Sequence, residues 1–198
     1  MQMFKDLNDP SLISLLKNGA VGVLPTDTVY GLVCVAADRA AVERLYAVKG
    51  REDKPGPVIA ASTAQLVELG LKARYLKAVE QYWPNPLSVV IPCGPELAYL
   101  YLGKDSLAVR IPDDEAVRAL LEQTGPLLTS SANAPGEPVA STTAEAQEYF
   151  GDMVDFYADG GDLSGRPSST VIRILDDAIE VLREGAVKID EYGRVVDQ

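Results

Sequence analysis

Short apolar runs alternate with longer amphipathic segments along most of the chain. Ala20 to Leu24, Leu32 to Ala36, Val58 to Ala61, Leu87 to Ile91, Leu107 to Arg110 and Leu127 to Thr129 are brief, apolar and bounded by Gly, Pro or polar turns. Runs of that length and composition read as buried strands. Met153 to Tyr157, Thr170 to Leu175 and Glu180 to Leu182 complete the set. Between them, apolar residues recur at helical spacing. Ala41, Val42, Leu45 and Val48 fall on one face, and Ala116, Leu120 and Leu121 on another.

Capping chemistry marks where those helices start and stop. Asp9 and Pro10 open a short helix that Gly19 ends, because Asp accepts from the first free N–H groups and Gly tolerates the left-handed turn. Asp38 opens the next helix; Gly50 follows its last turn, which places Lys49 at its C-terminus. Ser62 caps a helix through Leu69. A further helix runs from Ala73 to Tyr82 and stops before Pro84. Pro112 and Asp113 open one that reaches Gln123. Thr142 and Glu145 have capping-box spacing for a helix ending at Gly151. Strand and helix alternate without repeats and without a linker long enough to divide domains. The pattern predicts a single α/β domain over residues 1–198, with a twisted mixed sheet largely covered by helices. The Gly-, Ser- and Pro-rich loop Asp159 to Ser169 is placed to move or to wrap a ligand.

Composition narrows the chemistry. The chain contains no histidine, which removes imidazole bases, triads and metal ligands. Cys34 and Cys93 are too isolated for a metal site or a disulfide scaffold. The longest apolar run, Leu32 to Ala37, is far short of the roughly 18 residues of a membrane span. Charged residues also stand where a signal peptide would have its apolar core, so a cytoplasmic protein is expected. The net charge of −11 opposes a tight non-specific grip on a nucleic-acid backbone. Cations nevertheless crowd into Arg39, Arg44, Lys49, Arg51 and Lys54, a local patch suited to a small anionic ligand.

Lys49, Arg51, Arg110 and Arg183 each stand where a strand or helix ends. Side chains at strand ends of an open α/β sheet commonly face the ligand crevice. Any one of the four alone reads more readily as a solvated or ion-paired residue; taken together they favour an anion site. The turns Thr26-Asp27-Thr28 and Ser130-Ser131-Ala132-Asn133 follow apolar strands. Their hydroxyls, amide and carboxylate serve a ligand or their own backbone equally well. Neither of the standard glycine-rich nucleotide loops occurs.

Seven blocks in order resemble the YrdC-type threonylcarbamoyl-AMP synthase family. They are Pro25-Thr26-Asp27-Thr28-Val29-Tyr30-Gly31-Leu32, Lys49-Gly50-Arg51, Trp83-Pro84-Asn85-Pro86-Leu87-Ser88, Ser106 to Pro112, Ser131-Ala132-Asn133, Ser168-Ser169-Thr170-Val171 and Leu182-Arg183-Glu184-Gly185. Glu52, Gly56, Asn85 and Ser88 depart from the usual Pro, Leu, Gly and Thr. The resemblance implies a YrdC-like domain with a central ligand cleft, in the short form without an extra C-terminal domain. It implies a nucleotidyltransferase that joins L-threonine, bicarbonate and ATP into threonylcarbamoyl-AMP with release of pyrophosphate. Mg²⁺ would accompany ATP, and no protein-bound metal is implied. Downstream partners would transfer the product to tRNA, with weak tRNA binding conceivable and no membrane involved. By the same resemblance, Thr26, Arg110 and Ser169 contact threonine, and Lys49, Arg51, Ser131, Asn133 and Arg183 contact ATP. Lys49 and Arg51 would stabilise the transition state. The competing readings are carbamoyl transfer from carbamoyl phosphate and an RNA-binding relative without turnover.

Overall fold

The computed structural model describes residues 2–50, 54–175, 178–190 and 192–196. In chain order the elements are β1 (Gln2–Phe4), α1 (Pro10–Lys17), β2 (Gly22–Pro25), β3 (Tyr30–Val35), α2 (Arg39–Lys49), β4 (Val58–Ile59), α3 (Thr63–Leu69) and α4 (Ala73–Val79). Then follow β5 (Leu87–Pro92), α5 (Ala98–Tyr101), β6 (Ser106–Arg110), α6 (Glu115–Thr124), β7 (Leu127–Ser131) and α7 (Thr143–Phe150). The last strands are β8 (Phe156–Ala158), β9 (Thr170–Leu175), β10 (Ala178–Arg183), β11 (Lys188–Ile189) and β12 (Val195–Val196).

The first ten strands form one mixed sheet in the order β1-β8-β2-β3-β7-β4-β6-β5-β9-β10, and β11 and β12 pair separately. This is the mixed α/β sheet that the alternating pattern predicts. The predicted caps are made as well. Asp9 accepts from the Ser11 N–H, Asp38 from Ala41, Ser62 from Gln65 and Thr142 from Glu145. At Gly50 the backbone turns left-handed (φ 63°), the conformation that ends α2 just after Lys49.

Several boundaries differ from the sequence reading. Helix α6 is capped by Asp114 rather than opened by Asp113. A 3₁₀ turn at Gly151–Met153 delays the next strand, predicted from Met153, until Phe156. β3 begins at Tyr30, two residues before the strand read from Leu32, because it pairs with β2 in a tight hairpin. The helical stretch from Pro95 to Tyr101, the strand Gln2–Phe4 and the β11–β12 pair are too short for periodicity to reveal them.

The two faces of the sheet are covered differently, and this positions the site. On one face α2, α3, α4, α5 and α7 bury Val42, Leu45, Leu66, Leu76, Leu100 and Phe150 against Leu32, Val58, Leu87, Val109 and Leu128. On the other, α1 and α6 bury Leu12, Leu16, Val117, Leu120 and Leu121 against Leu24, Val33, Ile59 and Leu127. Paired residues share a face and neighbours along a strand alternate. Ile59 is paired with both Leu127 and Arg110, and Gly31 with Ser131. Along this second face the row therefore changes from Leu127 and Ile59 under the helices to Arg110, Ser131 and Gly31 beyond them.

An ion pair ties α2 to the strand-end region before β8. Arg44 donates to Asp155 at 2.5 and 2.9 Å, and Asp155 also accepts from the Val21 N–H at 2.9 Å. The Arg44 guanidinium holds the Asp155 carboxyl below its ordinary range, with burial opposing it and the Val21 bond assisting. A lowered folded-state value means that the stabilisation is present above the unfolded value near 4 and is lost as pH falls through the folded one. Because the pair is partly solvated, Asp155→Asn should cost about 1 kcal/mol, or roughly 2–4 °C in Tm. Thermal melts from pH 7 to pH 3 should show that gap constant near neutrality and closing below about pH 4.

Candidate functional site

Beyond the edge of α1 and α6, the open part of the second face forms a cavity of about 190 Å³. Its walls come from far apart in the chain: Thr26, Thr28 and Gly31 of the β2–β3 hairpin, Pro55 and Pro57, Arg110 of β6, Ser131 of β7, Ser168 and Ser169, and Arg183 of β10. Ala108 and Val171 give it an apolar floor.

Arg110 is the most deeply held cation there, with only 4% of its side chain exposed, and its partner Asp27 shows 2%. Nε and Nη2 both donate to one carboxylate oxygen, Oδ1 of Asp27, at 3.2 and 2.7 Å, and Nη2 also approaches Thr28 Oγ1 at 3.4 Å. One edge of the guanidinium is thus spent on Asp27. Nη1 makes no hydrogen bond among the described residues. A planar fork with a free end is suited to a carboxylate or phosphate. Thr26 closes its own turn by donating to Val29 O at 2.7 Å, and its hydroxyl lies 3.1 Å from that of Thr28.

Arg183 reaches the cavity because β10 is bulged. Val181 pairs with Ile172 while Arg183 pairs with Val171, so the strand gains a residue between them and its end is re-aimed. Its Nε and Nη2 donate to Ser169 O at 3.0 and 2.7 Å, and Nη2 to Ser169 Oγ at 3.0 Å. Ser169 Oγ lies 3.2 Å from the hydroxyl of Ser88, which is fully buried on β5. The sequence reading passed over Ser88 as a site residue. The signal was present: a hydroxyl inside the run Leu87 to Ile91, on the face opposite to the buried Leu87, Val89 and Ile91.

Lys49 is brought to the same end of the sheet in a different manner. Its ammonium, 2% exposed as a residue, donates to Ser131 O at 2.7 Å, Asn133 O at 2.5 Å and Asn133 Oδ1 at 2.7 Å. Ser131 Oγ also donates to Asn133 Oδ1, and Asn133 Nδ2 donates to Ala134 O and Glu137 O. Lys49, Ser131 and Asn133 therefore form one network that shapes the turn after β7. Ser131 stands on the cavity wall, while Lys49 and Asn133 stand behind it. Arg51 lies outside the described residues. The structure thus gathers Thr26, Arg110, Ser131, Ser169 and Arg183 around one cavity and sets Lys49 and Asn133 against its rim.

The loop from Asp159 to Ser169 is strapped to this site. The Tyr30 hydroxyl donates to Gly161 O and accepts from the Gly160 N–H, both at 2.8 Å, and Leu163 is buried. A Cβ at Gly160 would stand 2.5 Å from Pro25 Cβ, so the loop passes where only glycine fits. Tyr30 holds this loop through its hydroxyl and does not offer a free ring face. Both cysteines are unreactive in this setting: Cys34 is fully buried, and burial pushes the Cys93 thiol up to about 11. No helix of the described residues is long and apolar enough to cross a membrane.

Comparison with known proteins agrees with the geometry. The Sua5/YciO/YrdC family model, described as "Telomere recombination", matches residues 14–185. The threonylcarbamoyl-AMP synthase of Stutzerimonas stutzeri is 32% identical over 185 residues, covering 91% of this chain and 99% of that protein. The threonylcarbamoyl-AMP synthase of Bacillus subtilis is 31% identical over 96% of this chain, which spans 57% of that longer protein. P. abyssi Sua5, solved in complex with L-threonine, superposes with a TM-score of 0.82 at 30% identity, over 94% of this chain and 57% of its own.

Replacing Lys49 by Met would leave three partly buried acceptors without their ammonium. A loss of about 2–3 kcal/mol in stability is expected, together with faster amide exchange at Asn133 and Ala140. Unchanged exchange in that turn would show that the network does not hold it.

Proposed function

Since the chain belongs to the Sua5/YciO/YrdC family, we propose that it makes L-threonylcarbamoyl-AMP from L-threonine, bicarbonate and ATP, for modification of an adenosine in tRNA. The observation that carries this reading is the meeting of two guanidinium groups, Arg110 and Arg183, with the hydroxyls of Thr26, Thr28 and Ser169 on one small cavity. Such a lining suits an amino-acid carboxylate at one end and phosphate oxygens at the other.

The proposed chemistry needs no imidazole. The amine of threonine forms a C–N bond to bicarbonate and water leaves, giving a carbamate. A carbamate oxygen then attacks the α-phosphorus of ATP, the bond to the β-phosphate oxygen breaks, and pyrophosphate departs. This is adenylyl transfer, so the enzyme is a nucleotidyltransferase. The nucleophile is already an anion, and the main barrier is its approach to a polyanion. A cation–phosphate pair near a protein surface supplies on the order of 4 kcal/mol gross at about 4 Å, part of it offset by desolvation. Two or three such pairs decide whether the approach occurs.

In this assignment Arg110 grips the threonine carboxylate, with Thr26 and Ser169 beside it. Arg183 and Ser131 contact ATP. Lys49, held in place with Asn133 at the rim, and Arg51 in the segment that follows bring further positive charge to the phosphates. Among the described residues the polar side chains that line the cavity are hydroxyls and guanidiniums, and Asp27 is bonded to Arg110. Mg²⁺ therefore enters with the triphosphate, as part of the substrate. The product passes to a downstream transferase that acts on tRNA.

Pyrophosphate release in the presence of threonine and bicarbonate tests the reading directly. Lys49→Ala and Arg51→Ala should each slow it about a hundredfold, as loss of a preorganised donor does. Arg110→Lys should raise the threonine KM about tenfold, because one ammonium cannot reproduce the planar fork. Release that proceeds with carbamoyl phosphate in place of threonine and bicarbonate would replace this reading with carbamoyl transfer.

A further inference from the structure

Ser88 is a hydroxyl kept wholly out of water inside the sheet. β5 pairs it with Val171 of β9, which lies on the cavity floor, and Ser169, two residues before Val171, lies on the cavity wall. The Ser88 hydroxyl oxygen stands 3.2 Å from that of Ser169 and makes no other hydrogen bond among the described residues. Arg183 Nη2 donates to the same Ser169 oxygen at 3.0 Å.

The partners available to each oxygen decide where its proton goes. If Ser169 donated to Ser88, the Ser88 proton would be buried without an acceptor, which is costly. Ser88 is therefore the donor. Ser169 Oγ then accepts twice, from Ser88 and from Arg183, and both of its lone pairs are occupied. What remains is its own proton, which has no acceptor among the described residues. Thr26 is arranged in the opposite way. Its hydroxyl donates to Val29 O at 2.7 Å, so its proton is committed to its own turn. A hydroxyl with both lone pairs filled can only donate, and an ionised carboxylate can only accept.

We propose that Ser88 is a positioning residue: by donating to Ser169 Oγ it makes Ser169 a hydrogen-bond donor alone, with its proton directed to the carboxylate of threonine. This deepens the reading above and rests on its placing of that carboxylate beside Ser169. Ser88 does not itself line the cavity and acts through Ser169. It denies the Ser169 proton the alternative of turning into the sheet. Arg183 is held independently, by two bonds to the Ser169 carbonyl at 3.0 and 2.7 Å. Loss of the Ser88 hydroxyl should therefore fall on threonine and not on ATP.

The test combines calorimetric binding of L-threonine with the KM values of threonine and ATP in pyrophosphate release. It compares wild type, Ser88→Ala, Ser88→Thr, Ser169→Ala and the double variant Ser88→Ala/Ser169→Ala. Ser88→Ala should weaken threonine binding about threefold to tenfold, the net worth of one hydrogen bond, and leave the ATP KM within about twofold. Ser88→Thr, which keeps the hydroxyl, should bind threonine within about twofold of wild type. The double variant should bind threonine no more weakly than Ser169→Ala, because Ser88 then has nothing to act on. Losses that multiply in the double variant would show that Ser88 acts by packing, and would overturn the proposal. Equal losses for threonine and ATP, or a loss in Ser88→Thr as large as in Ser88→Ala, would overturn it as well. Threonine bound by wild type with no effect of Ser88→Ala would overturn this proposal alone. No threonine binding to wild type would instead overturn the threonine assignment made above, and this inference with it. If Ser88→Ala does not fold, Ser88→Cys, whose thiol is a weak donor, takes its place with the same expectations.

Discussion

A guanidinium and a carboxylate kept out of water together are the feature on which this structure turns. Burying an ion pair commonly stabilises a fold no more than well-packed apolar side chains would, whereas removing one partner costs several kcal/mol. Arg110 sits in register with Ile59 on a face that is otherwise apolar under α1 and α6. An aliphatic residue there would extend that core and close the cavity. The pair is thus better accounted for by the polar wall that Arg110 gives the cavity than by the stability it brings. Asp27 holds the guanidinium by one edge, and this fixes where the other edge is presented.

The rest of the architecture serves to leave that edge accessible. Five helices cover one face of the sheet, and two cover only part of the other. The uncovered part receives the end of β7, the bulged end of β10 and the hairpin between β2 and β3. Each contributes polar side chains to the cavity wall. Lys49 adds to this by locking the turn after β7 from behind, so that Ser131 is set on the wall before any ligand arrives. Preorganisation of this sort lowers the reorganisation needed when charge develops. The loop from Asp159 is likewise fastened, by the Tyr30 hydroxyl and the buried Leu163, so that Ser168 and Ser169 meet the cavity from a fixed direction.

Much of this was legible in the residues. Caps at Asp9, Asp38, Ser62 and Thr142, and the stop at Gly50, are local devices, and the chain folds there as the sequence reads. Elements of two to four residues, such as Gln2–Phe4 and the β11–β12 pair, escaped because they complete no period and exist only through their partners. Nothing next to the tyrosine at position 30 in the sequence announces its partner. Its ring is fully buried, but its hydroxyl ties down a loop some 130 positions away in the chain.

By itself, the order of apolar runs and caps determined an α/β sheet, and the absence of histidine removed imidazole chemistry. Those properties are local or compositional, so they survive in one dimension. Which cations meet was decided only by tertiary structure. Strand order places β6 and β10 on either side of β5 and β9, and a one-residue bulge turns Arg183 toward the cavity that Arg110 lines. The same holds for Asp27 and Ser88, whose partners lie 83 and 81 positions away. A hydrogen bond of that span leaves no trace in spacing or periodicity, because the sheet, not the neighbouring sequence, brings its two ends together.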